Sequence, residues 1–408
     1  MDRVTPQMPA DSARTDAFLE NLMKRYPQYF DSILFHRNDW NVQIIYTQVD
    51  RGANGIPSLH NYYFNVDTSR YFYPASTVKF PVSLLALQRL NELKDKGINK
   101  YSTIITEAGY SGQTSVYNDP NTPDGKPSVA NYIKKILMVS DNDAYNRLYE
   151  FLGPRYINEE LHKKSYEDVQ LLHRLQVSLS EDENRHTNPV KFLDDSGHVI
   201  FDQPMQYNAQ QYAPRHDFMG KAYYGAGKLI NEPMNFSRKN RICLEDLHRI
   251  LTGLVFPSKV HAAERFNLTD DDRRFVFKYM SQFPQESIYP AYDSSYHDAY
   301  CKFLLFGSQK EALAKNIRSF NKPGDAYGQM LDVAYIVDYE KKIEFFLSAV
   351  IYCNTDEVIN DDKYDYQTIG LPFMKHIGEV IYNYEMTRER KIIPDFSDFI
   401  FTYDKNTH

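Results

Sequence analysis

The sequence predicts an α+β fold in which strands from both ends of the chain share one antiparallel sheet. Segments rich in β-branched and aromatic residues occur at 41–49 and 61–65, and again at 331–337 and 343–352. The long middle of the chain instead has apolar residues at helical spacing. Strand groups at the two ends of a chain most economically pair with each other. We therefore expect helices flanking this sheet and a mostly helical lobe beside it.

The first elements follow from local periodicity. Residues 13–30 predict an amphipathic helix, and the run at 32–36 predicts a strand that precedes the one at 41–49. The helix is predicted from apolar residues at helical spacing, namely Phe18, Leu19, Leu22, Met23 and Tyr26.

Helical periodicity returns in five later segments, which are 77–93, 129–151, 244–254, 270–282 and 370–386. The second of these is expected to stop at Gly153-Pro154, since glycine and proline both end helices. The polar stretch 338–342 lies between the last two strands and predicts a hairpin.

These elements predict one main domain with additions. We expect a lead-in with the N-terminal helix over 1–30, a single domain over 31–390 and a C-terminal tail over 391–408. The stretch 180–240 is polar, rich in turn-forming residues and without sustained periodicity, so it is predicted to be an insertion in that domain.

Composition excludes several function classes. The chain has 47 basic and 54 acidic residues, a net charge of −7, which argues against a broad nucleic-acid surface. No apolar stretch approaches the ~20 residues of a membrane helix, and no apolar segment follows Met1 as in a signal peptide. No metal, nucleotide or flavin signature is present, so no cofactor is expected. The three cysteines have the spacing of neither a metal site nor a disulfide framework.

One Ser-x-x-Lys motif, from Ser76 to Lys79, lies at the start of a predicted helix. Residues three apart share a helix face, so the Lys79 amine can reach the Ser76 hydroxyl. A lysine whose pKa is lowered by burial or by a nearby cation can accept the serine proton. The unpaired N–H groups of a helix N-terminus also suit an oxyanion. By itself the motif is weak evidence, because an ordinary capping serine gives the same pattern.

Two further motifs accompany it. Ser140-Asp141-Asn142 occurs once, in a predicted helical stretch, although these residue types also favour helix caps and kinks. Asn321-Lys322-Pro323-Gly324 immediately precedes the predicted hairpin. Ser319 and Lys322 make a second Ser-x-x-Lys, so at least one copy of that motif is coincidental.

In this order the three motifs resemble the signature of the penicillin-recognising serine hydrolases, most closely the class A β-lactamases and their relatives. The flanking Arg70-Tyr71-Phe72, the stretch 140–153 and the strand at 331–337 agree with it. The resemblance covers roughly 30–390, with 190–240 unmatched. It implies a β-lactamase/transpeptidase-like fold, a small-molecule or peptide substrate, and a periplasmic or secreted location. The oligomeric state is left open.

The resemblance also implies a role for each motif residue. Ser76 would be the acylated nucleophile, and Lys79 its activating base or proton relay. Ser140 would pass a proton to the leaving nitrogen, and Asn142 would hold the substrate amide and Lys79. Lys322 would supply positive charge beside Ser140.

The third motif departs from the family's Lys-Thr-Gly. Pro323 replaces the threonine and removes a hydroxyl that could bind a substrate carboxylate. Asp325 follows Gly324, and its charge would repel such a carboxylate. The resemblance nevertheless implies that Gly324 and Asp325 bind substrate, and that the backbone N–H groups of Ser76 and Asp325 form the oxyanion hole.

The position of the deacylating base also departs from the family. Class A enzymes carry a glutamate two residues after an arginine in their omega loop, where it activates water. The segment 172–176 puts Gln176 at that position, and a neutral amide cannot accept the proton. Glu181 and Glu183 are close enough in sequence to be alternatives.

The function predicted is hydrolysis of a β-lactam, or of a related cyclic or peptidic amide, through an acyl-enzyme on Ser76. The alternative among enzymes is a D,D-peptidase or esterase with poor β-lactam turnover. The alternative from another class is a catalytically silent relative that binds a partner through 180–240. The complete set of motif residues disfavours silence, because folding alone does not require it.

Overall fold

The computed structural model describes residues 13–52 and 56–405, so part of the predicted lead-in over 1–30 and the end of the predicted tail over 391–408 lie outside the described residues. The strands, in chain order, are β1 (Gln43–Arg51), β2 (Pro57–Phe64), β3 (Thr103–Thr106), β4 (Val190–Leu193), β5 (Val199–Gln203), β6 (Phe218–Met219), β7 (Ala222–Gly225), β8 (Lys228–Ile230), β9 (Met234–Asn235), β10 (Ile317–Ala326), β11 (Gln329–Asp338), β12 (Ile343–Tyr352) and β13 (Val358–Ile359). The α-helices are α1 (Ala17–Lys24), α2 (Pro27–Phe35), α3 (Lys79–Glu92), α4 (Val129–Val139), α5 (Asn142–Lys163), α6 (Glu181–Arg185), α7 (Leu244–Val255), α8 (Asp270–Ser281) and α9 (Leu371–Thr387).

The sheet shared by the two ends of the chain is present. Its strands follow the order β10-β11-β12-β1-β2, and every neighbouring pair is antiparallel. The N-terminal pair joins the C-terminal strands through β1 and β12, where Gln43 lies opposite Val350. β11 and β12 form the predicted hairpin. The α+β architecture predicted from the sequence is confirmed.

Helices cover both faces of this sheet. Every residue of β11 and β12 is buried, which explains their near-continuous apolar sequences. Because neighbouring side chains in a strand point to opposite faces, Tyr335 joins a large core with the helical lobe, whereas Ala334 and Ile336 join a smaller core with α1, α2 and α9. The described part of the predicted tail contributes Phe396 and Phe399 to the larger core.

The strand predicted at 32–36 is wrong, because these residues belong mainly to the helix α2. Pro27 opens that helix, where its fixed φ angle and missing N–H are tolerated. Phe30 and Ile33, three residues apart, are buried on one helix face. The single helix predicted over 13–30 is therefore divided in two at Pro27.

The structure also differs from the single helix predicted over 129–151. That helix is interrupted at Ser140, whose φ of 61° is left-handed, so α4 ends and α5 begins within the Ser-Asp-Asn motif. The predicted stop at Gly153-Pro154 coincides with a break in α5, because Gly153 has a non-helical φ of 75° and ψ of 147°. A second helical segment follows this kink and ends at Lys163.

The stretch predicted as an insertion, 180–240, is built from the short helix α6 and the strands β4 to β9. They form small sheets with β3 and β13, plus the pair β6-β9. Phe192 and Phe236 anchor this stretch in the large core. Strands of two to five residues are too short to produce a recognisable alternation in the sequence.

Candidate active site

Ser76 lies in a short 3₁₀ turn, Ala75–Val78, that leads directly into α3. The turn is held by Thr77, whose backbone N–H and hydroxyl both donate to the carbonyl of Pro74, at 3.1 and 2.6 Å. Ala75 takes a left-handed φ of 46° just before the serine. Ser76 is partly exposed, while Ala75 and Thr77 are buried. The turn therefore presents the serine at the head of a buried helix.

Gly324 brings strand β10 against the backbone of Ser76. A Cβ atom at position 324 would stand 2.6 Å from the backbone N of Ser76 and 2.9 Å from that of Thr77. Any side chain there would have to push the strand away from the turn. The glycine of the third motif is thus required by this close approach of two backbones.

Ser140 joins the two motif lysines. Lys79 Nζ donates to the hydroxyl of Ser140 at 3.1 Å and also to its carbonyl oxygen. Lys322 Nζ donates to the same hydroxyl at 2.8 Å and to the carbonyl oxygen of Pro323 at 2.7 Å. Among the described residues, Lys79 makes no hydrogen bond to Ser76, although the sequence predicted that contact. Asn142 likewise makes no hydrogen bond to Lys79 among these residues. Ser140 instead bridges two amines from distant parts of the chain.

Both amines are buried, and this changes their protonation. Lys79 and Lys322 are 0% exposed. Burial, followed by the charge of Lys322, lowers the pKa of Lys79 well below its usual value. Burial lowers the pKa of Lys322 to about 8. The neutral, proton-accepting form of Lys79 is therefore easier to reach than in an ordinary lysine.

The second Ser-x-x-Lys copy lies on strand β10, which contains both Ser319 and Lys322. Residues three apart on a strand point to opposite faces. The Ser319 hydroxyl is buried and has no hydrogen-bond partner among the described residues. This arrangement keeps Ser319 away from the lysine that follows it in sequence.

Gln176 lies beside the Ser-Asp-Asn motif. Asp141 caps α5 by accepting a hydrogen bond from the backbone N–H of Ala144 at 2.8 Å. Asn142, the first residue of that helix, donates from Nδ2 to Gln176 Oε1 at 2.6 Å. Gln176 is exposed and has a left-handed φ of 56°. The structure therefore brings Gln176, predicted only loosely from sequence, next to Asn142.

The loop before Gln176 is held by residues that the sequence interpretation missed. Asn146 donates to the carbonyl of Leu175 at 3.0 Å and accepts from its N–H at 2.8 Å. Glu150 accepts from Arg174 Nε at 2.9 Å. Asn142, Asn146 and Glu150 are each four residues apart, so one face of α5 carries all three contacts. The spacing of four residues between these polar side chains along a predicted helix was the signal available in the sequence.

The two alternative carboxylates have other partners. Glu183 forms a capping box with Ser180 at the start of α6 and accepts from the Ser111 hydroxyl at 2.9 Å. Glu181 is exposed and pairs with Arg185 at 2.9 Å. Neither contacts Asn142 or Gln176 among the described residues, so the structure does not bring them into the cluster around Ser140.

A buried polar network beneath Lys322 was also missed. Lys302 Nζ donates to Asn321 Oδ1 at 2.8 Å, and Asn321 Nδ2 donates to Asp332 Oδ1 at 2.9 Å. Asp332 also accepts from the backbone N–H groups of Phe303 and Leu304, both at 3.1 Å. Burial lowers the pKa of Lys302 to about 8 and raises that of Asp332. The signal was an aspartate within the apolar sequence of β11.

Asp325 follows Gly324 near the end of β10 and is exposed. No lysine, arginine or histidine of the described residues lies within 4.0 Å of its carboxylate. Across the same described residues, no group of three or more His, Cys, Asp or Glu side chains is placed to hold a metal ion. No described helix has the length and apolarity needed to span a bilayer.

Replacing Asn146 with alanine should loosen the Gln176 loop. The change leaves the N–H and C=O of Leu175 without partners, so we expect the free energy of unfolding to fall by about 2–4 kcal/mol. Urea denaturation measures the loss, and hydrogen exchange over 170–180 should become faster. Asn231→Ala, at an exposed position, should stay within about 0.5 kcal/mol of the parent. Equal losses in both variants would contradict a specific role for Asn146.

A family model described as the β-lactamase enzyme family matches residues 31–384. No curated protein sequence matches the chain. Similar solved structures include a class A β-lactamase from Clostridium kluyveri, with 13% identity, 88% of this chain and 99% of that chain covered, and a TM-score of 0.48.

Two further solved structures are similar to the same extent. A β-lactamase from Xanthomonas campestris pv. campestris has 12% identity, with 89% of this chain and 98% of that chain covered, and a TM-score of 0.47. PBP-A has 13% identity, with 89% and 95% covered and a TM-score of 0.47. The family model covers most of the chain and confirms the resemblance seen in its motifs, so this chain belongs to the β-lactamase enzyme family.

Proposed function

We propose that this chain is a β-lactamase-like serine hydrolase that forms an acyl-enzyme on Ser76. The observation that carries the proposal is the pair of buried amines, Lys79 and Lys322, that converge on the Ser140 hydroxyl. Burying two amines without a carboxylate partner is costly. Folding does not require such a pair, whereas an amine of lowered pKa is suited to proton transfer at a serine.

Acylation begins with the proton of Ser76. Lys79, whose pKa is depressed, accepts that proton, and the serine oxygen attacks the substrate carbonyl carbon. Negative charge then develops on the carbonyl oxygen. The backbone N–H groups of Ser76 and Asp325, brought close by Gly324, are the donors proposed to stabilise it.

Departure of the leaving group requires the proton to travel onward. Ser140 donates its hydroxyl proton to the leaving nitrogen as the carbon–nitrogen bond breaks. Lys79, which holds the proton taken from Ser76, lies 3.1 Å from the Ser140 hydroxyl and restores it. Lys322, at 2.8 Å, favours the transient negative charge on Ser140. Asn142 is proposed to orient the substrate amide.

Hydrolysis of the acyl-enzyme is the weak half of the reaction. Gln176 occupies the position beside Asn142, and its amide cannot serve as a base. Glu181 and Glu183 are engaged with Arg185 and Ser180. This observation favours the second candidate, a D,D-peptidase or esterase with poor β-lactam turnover.

We further propose a single hydrolase domain over 31–390 with 180–240 inserted, acting in the periplasm or outside the cell. The family match over 31–384 supports this extent. Gly324 and Asp325 are proposed to contact the substrate. A small-molecule or peptide substrate fits the family, and no cofactor enters the steps described.

Ser76 should be the residue that becomes acylated. We expect a fluorescent penicillin or a reactive acyl donor to add its mass to Ser76, as detected by mass spectrometry of the digested protein. Ser76→Ala should abolish the adduct, and Ser319→Ala should retain it, because Ser319 faces away from Lys322. Adduct on Ser319 would reject the assignment, and no adduct with any donor would favour the silent binding module.

Acylation should have a bell-shaped dependence on pH. Its rate should rise with pH as Lys79 becomes neutral, and fall above about pH 8 as Lys322 loses the charge it carries below its pKa. Arginine stays protonated throughout this range. In Lys322→Arg the alkaline decline should therefore disappear from the pH profile of kcat/KM. An unchanged alkaline limb in that variant would show that another group is titrating.

A penicillin should give a burst of about one equivalent followed by slow turnover. A well-placed general base contributes about 10²–10⁴-fold, so Gln176→Glu should accelerate the slow phase by a factor in that range. Stopped-flow hydrolysis with rapid-quench detection of the adduct measures both phases. Gln211→Glu, an exposed substitution of the same chemistry, serves as the control. Rapid steady turnover by the parent, without accumulated adduct, would place the base elsewhere.

A further inference from the structure

We propose that the inserted segment 180–240 holds Gln176 beside Asn142 and thereby controls hydrolysis of the acyl-enzyme. It does so through two positioning residues, Asn184 and Asn240, neither of which is proposed to touch the substrate. The inference rests on the proposed function, because it concerns the second half of the same reaction. It gives the segment a role in this chain's own chemistry, in place of the binding of a separate partner.

The five residues before Gln176 are not part of a sheet. Residues 171–175 lie outside every strand and helix, and yet Leu171, Arg174 and Leu175 are buried. The backbone N–H and C=O groups of such a stretch need other partners, because leaving them unpaired is costly. An asparagine side chain can take the place of a neighbouring strand, since its amide carries both a donor and an acceptor.

Two asparagines of α5 hold the ends of this stretch. Asn158 accepts a hydrogen bond from the N–H of Leu171 at 2.8 Å and donates to its carbonyl at 2.9 Å. Asn146 pairs with Leu175 in the same way, at 2.8 and 3.0 Å. Each side chain therefore acts as a strand partner for one residue, and three backbone N–H groups between them still need an acceptor.

The inserted segment supplies the acceptors for those three N–H groups. Asn240 Oδ1 accepts from the N–H of Leu172 at 2.7 Å and from that of His173 at 3.2 Å. Asn184 Oδ1 accepts from the N–H of Arg174 at 2.9 Å. Both asparagines are buried. Because they lie near opposite ends of the inserted segment, the segment holds the loop from both of its own ends.

The position of Asn240 is fixed by residues that lead to Ser76. Its backbone carbonyl accepts a hydrogen bond at 3.1 Å from the hydroxyl of Tyr71, which lies shortly before Ser76 in the chain. The guanidinium of Arg215, from the inserted segment, lies 5.5 Å from the centre of the Tyr71 ring. The chain leading to Ser76 and the loop that carries Gln176 are therefore joined through Asn240.

The side chain of Gln176 depends on this support. Among the described residues, Asn142 is the one hydrogen-bond partner of its exposed amide, at 2.6 Å. Position 176 is therefore held chiefly by the backbone before it and by the four asparagines that pair with that backbone, two of which belong to the inserted segment. A base at this position would lose its alignment with water without them, and a displacement of about 1 Å can cost about a hundredfold in rate.

The kinetic test measures acylation and deacylation separately, by stopped-flow and rapid-quench experiments with a penicillin. In Gln176→Glu protein, which carries a base at this position, Asn240→Ala should slow deacylation by about tenfold to a hundredfold. In protein that retains Gln176, the same change should alter deacylation by less than about threefold, because no base is displaced. Acylation should stay within about threefold in both backgrounds, since its groups lie elsewhere.

Matched variants separate positioning from general stability. Asn240→Asp keeps the acceptor oxygen, so deacylation by Gln176→Glu protein should stay within about threefold of its unaltered rate. Asn184→Ala removes a different hydrogen bond to the loop and should also slow deacylation by that protein, which tests the inference independently of Asn240. Asn231→Ala, at an exposed position of the same segment, should leave both steps unchanged.

Three kinetic outcomes would overturn the inference alone. The first is an equal effect of Asn240→Ala on deacylation with and without Gln176→Glu. The second is an equal loss of acylation and deacylation in the variants. The third is an acylated Ser76 that Gln176→Glu fails to hydrolyse any faster.

If no donor acylates Ser76, the proposed function fails, and a nitroxide label still tests the inference. The native cysteines are buried, so in Gln176→Cys protein the label reacts at the exposed position 176. Its electron paramagnetic resonance spectrum should be that of an immobilised label. Asn240→Ala and Asn184→Ala should make the label mobile, whereas Asn231→Ala should not. A spectrum that neither of the first two changes alters would overturn the inference.

Discussion

Two lysine amines buried around one serine hydroxyl impose the main constraint on this structure. Lys79 and Lys322 are both fully buried, and no carboxylate of the described residues lies within ion-pair distance of either. A pair of fixed positive charges in such a place would be strongly unfavourable. The pair is tolerated because burial lowers both pKa values, helped at Lys79 by the charge of Lys322, and because Ser140 accepts a hydrogen bond from each. The chemistry proposed for Ser76 uses the neutral amine that results.

The surrounding architecture holds the three segments that meet there. Helix α3 carries Lys79, the junction of α4 and α5 carries Ser140, and strand β10 carries Lys322. The strand reaches the serine turn only because Gly324 has no side chain. Beneath the strand, Asn321 and Asp332 fill the opposite side with satisfied hydrogen bonds. Buried networks of this kind resist displacement, since breaking one hydrogen bond leaves its polar partner unpaired in an apolar medium.

The two halves of the proposed reaction are supported by different parts of the fold. The groups proposed for acylation are in the turn before α3, on α3, at the junction of α4 and α5, and on β10. The loop that carries Gln176 is held to α5 through Asn146 and Glu150, on successive turns of one helix face. The loop is therefore held in a defined position beside Asn142. Under the proposed function, slow deacylation would follow from the amide chemistry of the Gln176 side chain.

The sequence by itself determined the fold class, the strand pairing of the two chain ends and the order of the three motifs. Periodicity is a local property, and for long elements such as α7 and β12 it was sufficient. It failed at 32–36, where Pro27 and packing in the smaller core stabilise a helix. It also failed over 180–240, where the strands are too short to show alternation.

Only the tertiary structure decided which residues meet. The Ser140 and Lys322 side chains are 182 positions apart, and no local pattern encodes their contact. The two Ser-x-x-Lys copies have the same spacing in the sequence, but Ser76 lies in a turn that leads into α3, whereas Ser319 lies on the strand β10. Lys79 donates a hydrogen bond to Ser140 and not to Ser76, because the packing of the elements brings Ser140 to its amine. A side chain's partner depends on the elements that pack around it, and those come from all parts of the chain.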